Sequence, residues 1–254
     1  MDAVTERRRG CAIAVMAKAP RAGQVKTRLV PPLTAAAAAA LSASFLRDVT
    51  ENIALAAREA AIAGYVAFAP AGAAAAFDGI LARGTGLVPA DGAPVAAAGV
   101  AGFGRSLLHA AQTLCAAGHE AVCLLNADSP TLPTRLLVEA AGALAPPGDR
   151  VVLGPAEDGG YYLLGVKSPH AALFRDIAWS TGRVADETRA RAAEAGLPLV
   201  ELAAWYDVDD ARSLRRLCRE LVAAPAAGTL APFAAPATAG CLDRHGVFGM
   251  LAAA

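Results

Sequence analysis

Apolar and polar positions divide the chain into short continuous runs that alternate with longer periodic stretches. Residues 11–17 (CAIAVMA) form one such run, the pattern of a strand covered on both faces of a parallel sheet. A polar, glycine-containing loop follows, and Thr34 stands at the N-cap of an alanine-rich helix running to about Arg58. Residues 64–69 (GYVAFA) read as a second strand ended by Pro70. The stretch 71–100, rich in Ala and Gly, reads as a short helix, a strand near Leu87 and a loop. Residues 104–117 read as helix and 121–126 (AVCLLN) as the central strand. Pro133 opens the next helix, which ends before Pro146 and Pro147. Strands at 150–154 and 161–166 flank the turn EDGG, and a helix at 183–195, a strand at 198–202 and a helix from about Asp210 follow. This alternation predicts an α/β fold: a single three-layer α/β/α domain over residues 11–222 with a mostly parallel central sheet. The Ala-, Pro- and Gly-rich tail at 223–254 is expected to be loosely packed or disordered.

Composition narrows the function classes. The 254 residues suit one such domain. Basic and acidic residues balance at 23 each, which argues against nucleic acid as a partner, since phosphate neutralisation demands a basic excess. Five cysteines (Cys11, Cys115, Cys123, Cys218 and Cys241) show no CxxC pair, so neither a disulfide framework nor a zinc knuckle is indicated. The four histidines lack metal-ligand spacing, and GxSxG and HExxH are absent, which sets aside the familiar serine and zinc hydrolases. Elsewhere no apolar run free of Gly and Pro approaches the ~20 residues of a membrane span. The N-terminal apolar run before Lys18 is only about seven residues, short for a leader, and reads better as a strand. A cytoplasmic protein with no membrane partner is the expectation.

Candidate chemistry collects in loops that follow strands, where ligands of open α/β sheets bind. The loop AKAPRAGQVKTRL carries Lys18, Arg21, Lys26 and Arg28, with Gly23 to let it turn; four cations there form a candidate phosphate cradle. In LLNADSPTLP, Asp128 emerges at the end of the central strand, a position suited to magnesium held by one or two carboxylates and phosphate oxygens. GPAEDGGYYLLG offers Asp158 before Gly159 and Gly160, and WYDVDDARSL offers Asp207, Asp209 and Asp210. Helix capping accounts for one of those last three acids.

Five segments, AVMAKAPRAGQVKTRL, NADSPTLP, GPAEDGGYYLLG, AWSTGRVADET and DVDD, occur together in an order that resembles the DUF2064 family. The resemblance covers roughly residues 11–220. It implies a GT-A fold of the nucleotide-diphospho-sugar transferase type, related to 2-phospholactate guanylyltransferases and molybdenum-cofactor nucleotidyltransferases. It further implies that Lys18, Arg21, Gly23, Lys26 and Arg28, with Gly104 and Arg105, bind nucleotide phosphates. Asp128 and Asp209 are implied as ligands of Mg2+ (or Mn2+), and Asp158 and Lys26 as catalytic residues. Asp158, Gly159, Gly160, Trp179, Ser180 and Thr181 are implied to face the acceptor or the sugar. Asn126 stands where relatives carry glycine, and Asp210 where they carry threonine.

Three functions stay open at this point. The first is transfer from a nucleotide sugar to a small-molecule acceptor, favoured by the EDGG signature. The second is nucleotidyl transfer from a nucleoside triphosphate with release of pyrophosphate, favoured by the single aspartate of NADSP and the basic first loop. The third is nucleotide binding without catalysis.

Overall fold

The computed structural model describes residues 10–223 and 230–252. Strand β1 (Cys11–Lys18) shows why the first apolar run is continuous. Cys11, Ile13 and Val15 enter one core while Ala12 and Ala14 enter the other, so both faces are dry and alternation has no use. The same division recurs in β4 (Ala121–Leu125), where Cys123 and Leu125 face the first core and Val122 and Leu124 the second.

The sheet is completed by β2 (Ile62–Ala69), β3 (Gly86–Pro89), β5 (Val151–Pro155), β6 (Tyr161–Val166) and β7 (Leu199–Glu201), in the order β3-β2-β1-β4-β6-β5-β7. Strand β6 runs against its neighbours β4 and β5; every other adjacent pair is parallel. Helices α1 (Ala35–Ala56) and α3 (Thr134–Leu144) cover one face through Leu46, Val49, Ile53, Leu136 and Leu137. Helices α2 (Phe103–Ala116) and α4 (Val184–Glu194) cover the other through Leu107, Leu108, Leu114 and Ala185. The three-layer α/β/α arrangement is therefore the one the alternation predicts, with element ends displaced by one or two residues. Thr34 caps α1 as expected, its Oγ1 accepting from the Ala37 N–H at 3.1 Å.

Two features of topology place the chemistry. The chain leaves β1 for β2 and β3 on one side and returns to β4 on the other, so the carboxyl ends of β1 and β4 are a topological switch point, where ligands of open α/β sheets bind. After β7, residues 202–209 cross the same edge as a strap. The Leu202 N–H donates to Leu153 O at 2.9 Å, that of Trp205 to Pro155 O at 3.2 Å and that of Val208 to Asp128 O at 2.9 Å. Because β6 is antiparallel, the turn between β5 and β6 lies on this edge too.

The tail departs from expectation. Residues 236–244 form α6 (Pro236–Arg244), preceded by α5 (Ala211–Val222) and followed by α7 (Val247–Ala252). Cys241 and Leu242 are buried in a third core with Leu29, Phe45, Tyr206, Val208 and Leu214. Burying a leucine contributes about 1.5–3 kcal/mol. The fully buried Asp48 of α1 accepts from the N–H groups of Ala237 (3.0 Å) and Thr238 (2.6 Å), capping α6 from across the fold. An acceptor 189 residues away is invisible to a reading of local composition. Residues 224–229 lie outside the described residues. No described helix is long and apolar enough to cross a membrane.

Candidate active site

The loop after β1 passes through left-handed backbone at Gly23 (φ 77°) and again at Lys26 (φ 50°). At a residue with a Cβ this costs about 1–2 kcal/mol. The Lys26 side chain is only 5% exposed, unlike its neighbours on the loop. Its Nζ donates to Val208 O at 2.6 Å and to Asp209 Oδ1 at 3.0 Å, and lies 2.8 Å from Asp128 Oδ1. An ammonium has three N–H donors, and three acceptors meet it. The Phe45 ring lies beneath, its centroid 5.3 Å from Nζ. Burial pulls the Lys26 pKa down, but Asp128 and Asp209 outweigh it and the net shift is upward. Lys26 is thus a charged tie between the loop after β4 and the strap.

Four carboxylates gather here. Asp128 follows β4, Asp209 and Asp207 come from the strap, and Asp158 comes from the β5–β6 turn. Burial raises the Asp207 pKa first, and the charges of Asp158, Asp209 and Asp128 add to it, bringing it to about 6. Asp207 was visible in the sequence only as one of three clustered acids; the signal that separates it is partial burial among other carboxylates. Asp210 has a different task. It is the N-cap of α5, accepting from the Ser213 N–H at 2.8 Å in a reciprocal capping box. Glu157 is also engaged, in a two-pronged pair with Arg216, whose guanidinium lies over the Tyr206 ring.

The turn at 157–160 and the loop at 178–183 form one unit. Gly159 has φ 89°, and a Cβ there would fall 2.1 Å from Gly182 O. Its own carbonyl accepts from the Ala185 N–H at 3.0 Å, tying the turn to the start of α4. Asp158 is exposed, with Oδ1 accepting from the Gly160 N–H at 2.8 Å. Trp179 packs over Gly104, where a Cβ would meet the indole at 2.9 Å, and edge-on against Phe103 with centroids 5.7 Å apart. Ser180 and Thr181 are exposed at the tip of the same loop.

The predicted phosphate residues divide. Lys18 at the end of β1, and Arg21, Gly23 and Arg28 on the loop after it, are exposed, and the three cations enter no salt bridge with a described residue. Lys26 is withdrawn from them into the carboxylate cluster. Arg105 turns away to the Ala93 carbonyl, at 3.2 Å.

The donor set fits a hard divalent ion of the kind that takes one or two carboxylates and completes its shell with water and phosphate. Asp128 and Asp209 are 36% and 43% exposed and aim an oxygen each at one point. Among the described residues no three His, Cys, Asp or Glu side chains are grouped so that they could hold a metal ion, so the protein would supply these two carboxylates alone. The point between the two aspartates is held by the Lys26 ammonium.

A family profile described as "Uncharacterized protein conserved in bacteria (DUF2064)" matches residues 52–181. No curated protein matches the sequence. Among solved structures, the chain is similar to a protein of Desulfovibrio desulfuricans G20, provisionally described as a nucleotide-diphospho-sugar transferase. The identity is 25% and the TM-score 0.76, over 94% of this chain and 96% of that one. A CMP:2-keto-3-deoxy-manno-octonic acid synthetase complexed with CTP shares the fold at 12% identity and a TM-score of 0.51. That likeness covers 82% of this chain and 96% of the synthetase.

Proposed function

The chain belongs to the DUF2064 family, and from that premise we propose that it is a divalent-metal-dependent transferase with a nucleotide-sugar donor and a small-molecule acceptor. The observation that carries this reading is the pairing of Asp128 and Asp209 on one buried ammonium at the switch point of the sheet, with Asp207 within electrostatic reach of both and of Asp158. Two carboxylates on one ammonium, with a third, Asp207, in electrostatic reach, leave the site in need of positive charge. The similarity to the Desulfovibrio protein supports a nucleotide sugar as the source of the transferred group.

Each residue then has a task set by its surroundings. Asp128 and Asp209 hold the ion, which when bound supplies charge neutralisation at the leaving phosphates. Lys18 at the end of β1, with Arg21 and Arg28 on the loop after it, is open to solvent, and the three clamp those phosphates with ammonium and guanidinium donors. Asp158, exposed on its turn, orients an acceptor hydroxyl and takes its proton. Trp179 and Phe103 wall the acceptor side.

Nucleotidyl transfer from a triphosphate is the second reading. Three cations at the end of β1 and on the loop after it, in no salt bridge with a described residue, suit a longer polyphosphate, and the loop after β4 supplies one aspartate rather than two. The products separate the two. Incubation with Mg2+, a panel of nucleotide sugars or nucleoside triphosphates, and candidate acceptors should release a nucleoside diphosphate from one nucleotide sugar. Pyrophosphate release from a triphosphate would replace the first reading with the second, and release of neither would count against catalysis.

A further inference from the structure

The ammonium of Lys26 occupies the place where a divalent ion would bridge the two aspartates. Both carboxylate oxygens lie within 3.0 Å of Nζ, whereas Mg2+ takes oxygens at about 2.0–2.1 Å. An ion drawing in the same two oxygens therefore claims the same space, and two cations cannot share it. The side chain is 5% exposed and its three donors are all used, so to leave this place is to give up the acceptors it now satisfies. A buried ammonium that loses its partners is strongly disfavoured until another anion arrives.

We propose that Lys26 is a resident cation that holds Asp128 and Asp209 together in the free protein and yields its place when a divalent ion enters. Its ammonium then turns to the phosphates that arrive with the ion. This rests on the reading of Asp128 and Asp209 as metal ligands. The loop has room for such a movement: nothing lies within 4 Å of a Cβ position at Gly23, and Gly23, Gln24, Thr27 and Arg28 are exposed. The consequence is ordered loading. Metal alone must displace a buried ion pair and binds weakly, whereas metal with a polyphosphate gives both cations an anion.

The chain has three lysines, Lys18, Lys26 and Lys167, so acetylation by an N-hydroxysuccinimide ester is readily resolved by mass spectrometry. In the metal-free protein Lys26 should react much more slowly than the exposed Lys18. Saturating Mn2+ without nucleotide should raise the Lys26 rate relative to Lys18 by about fivefold or more. In calorimetry, Lys26→Met should bind Mn2+ about tenfold or more tightly than the wild type. If Mn2+ binds the wild type and Lys26 stays protected, the exchange is overturned while the metal site stands. If neither protein binds Mn2+, the exchange and the metal reading fall together. The footprint needs no variant, so the test survives if Lys26→Met does not fold.

Discussion

Replacing Gly159 with alanine should force the turn at 157–160 away from the loop at 178–183. A Cβ at Gly159 would lie 2.1, 2.7 and 2.8 Å from the O, C and Cα of Gly182. All three are backbone atoms that no rotamer change can move aside. The left-handed φ of 89° adds strain of its own. Gly118, just past the end of α2, separates the two effects, because it has φ 98° and nothing within 4 Å of its Cβ position. Gly118→Ala should cost about 1–2 kcal/mol, the left-handed strain alone. Gly159→Ala should add an overpacking cost of about 1–3 kcal/mol, for roughly 2–5 in all. At about 2–4 °C per kcal/mol for a protein of this size, its melting midpoint should fall several degrees further than that of Gly118→Ala. Urea denaturation of both variants gives the difference directly. Equal costs, to within about 0.5 kcal/mol, would refute the claim that the two loops are packed as one unit.

Other residues give independent checks. The folded-state pKa of Asp207, about 6, lies above its ordinary 3.8, so its protonated form stabilises the fold below pH 3.8 and that contribution is lost as pH rises to about 6. In metal-free buffer, the stability of the wild type relative to Asp207→Asn should decline across that window and level off above it; a constant difference would oppose this. Asp210→Ala should cost about 0.5–2 kcal/mol as a lost N-cap and leave Mn2+ affinity unchanged, whereas a loss of Mn2+ binding would make Asp210 a ligand. Asp48→Ala should strip the first N–H groups of α6 of their acceptor, and hydrogen exchange at 236–244 should speed up before the rest of the protein is affected. Unchanged exchange there would mean that packing alone holds the helix.

What the sequence could and could not disclose follows from how local each signal is. The strands CAIAVMA and AVCLL are legible because two-sided burial leaves no polar position in them. Thr34 is legible because a cap acts within three residues. Asp128 stands out because it follows the most apolar strand. Other features depend on partners far away in the chain. Helix α6 looks like low-complexity tail until Asp48 is placed at its start and Phe45 beneath its neighbours. Lys26 is one of four similar cations until the fold withdraws it to Asp128 and Asp209. Asp207, Asp209 and Asp210 are adjacent acids with different tasks, divided by which way the strap turns each side chain: into the carboxylate cluster, toward Lys26, or back onto Ser213. The contact between Gly159 and Gly182 joins two motifs that the sequence presents as unrelated.

The central claim is that Asp128 and Asp209 make this edge of the sheet a metal-dependent nucleotide site. Calorimetric titration of nucleotide sugars and nucleoside triphosphates, each with Mg2+ and with EDTA, should be run on the wild type, Asp128→Asn and Asp209→Asn. The account predicts that one nucleotide sugar binds the wild type with Mg2+, binds far more weakly in EDTA, and is lost by about tenfold or more in both variants, a change of about 1.4 kcal/mol or more. Nucleotide binding that ignores both EDTA and the two substitutions, or no nucleotide binding at all, would contradict it.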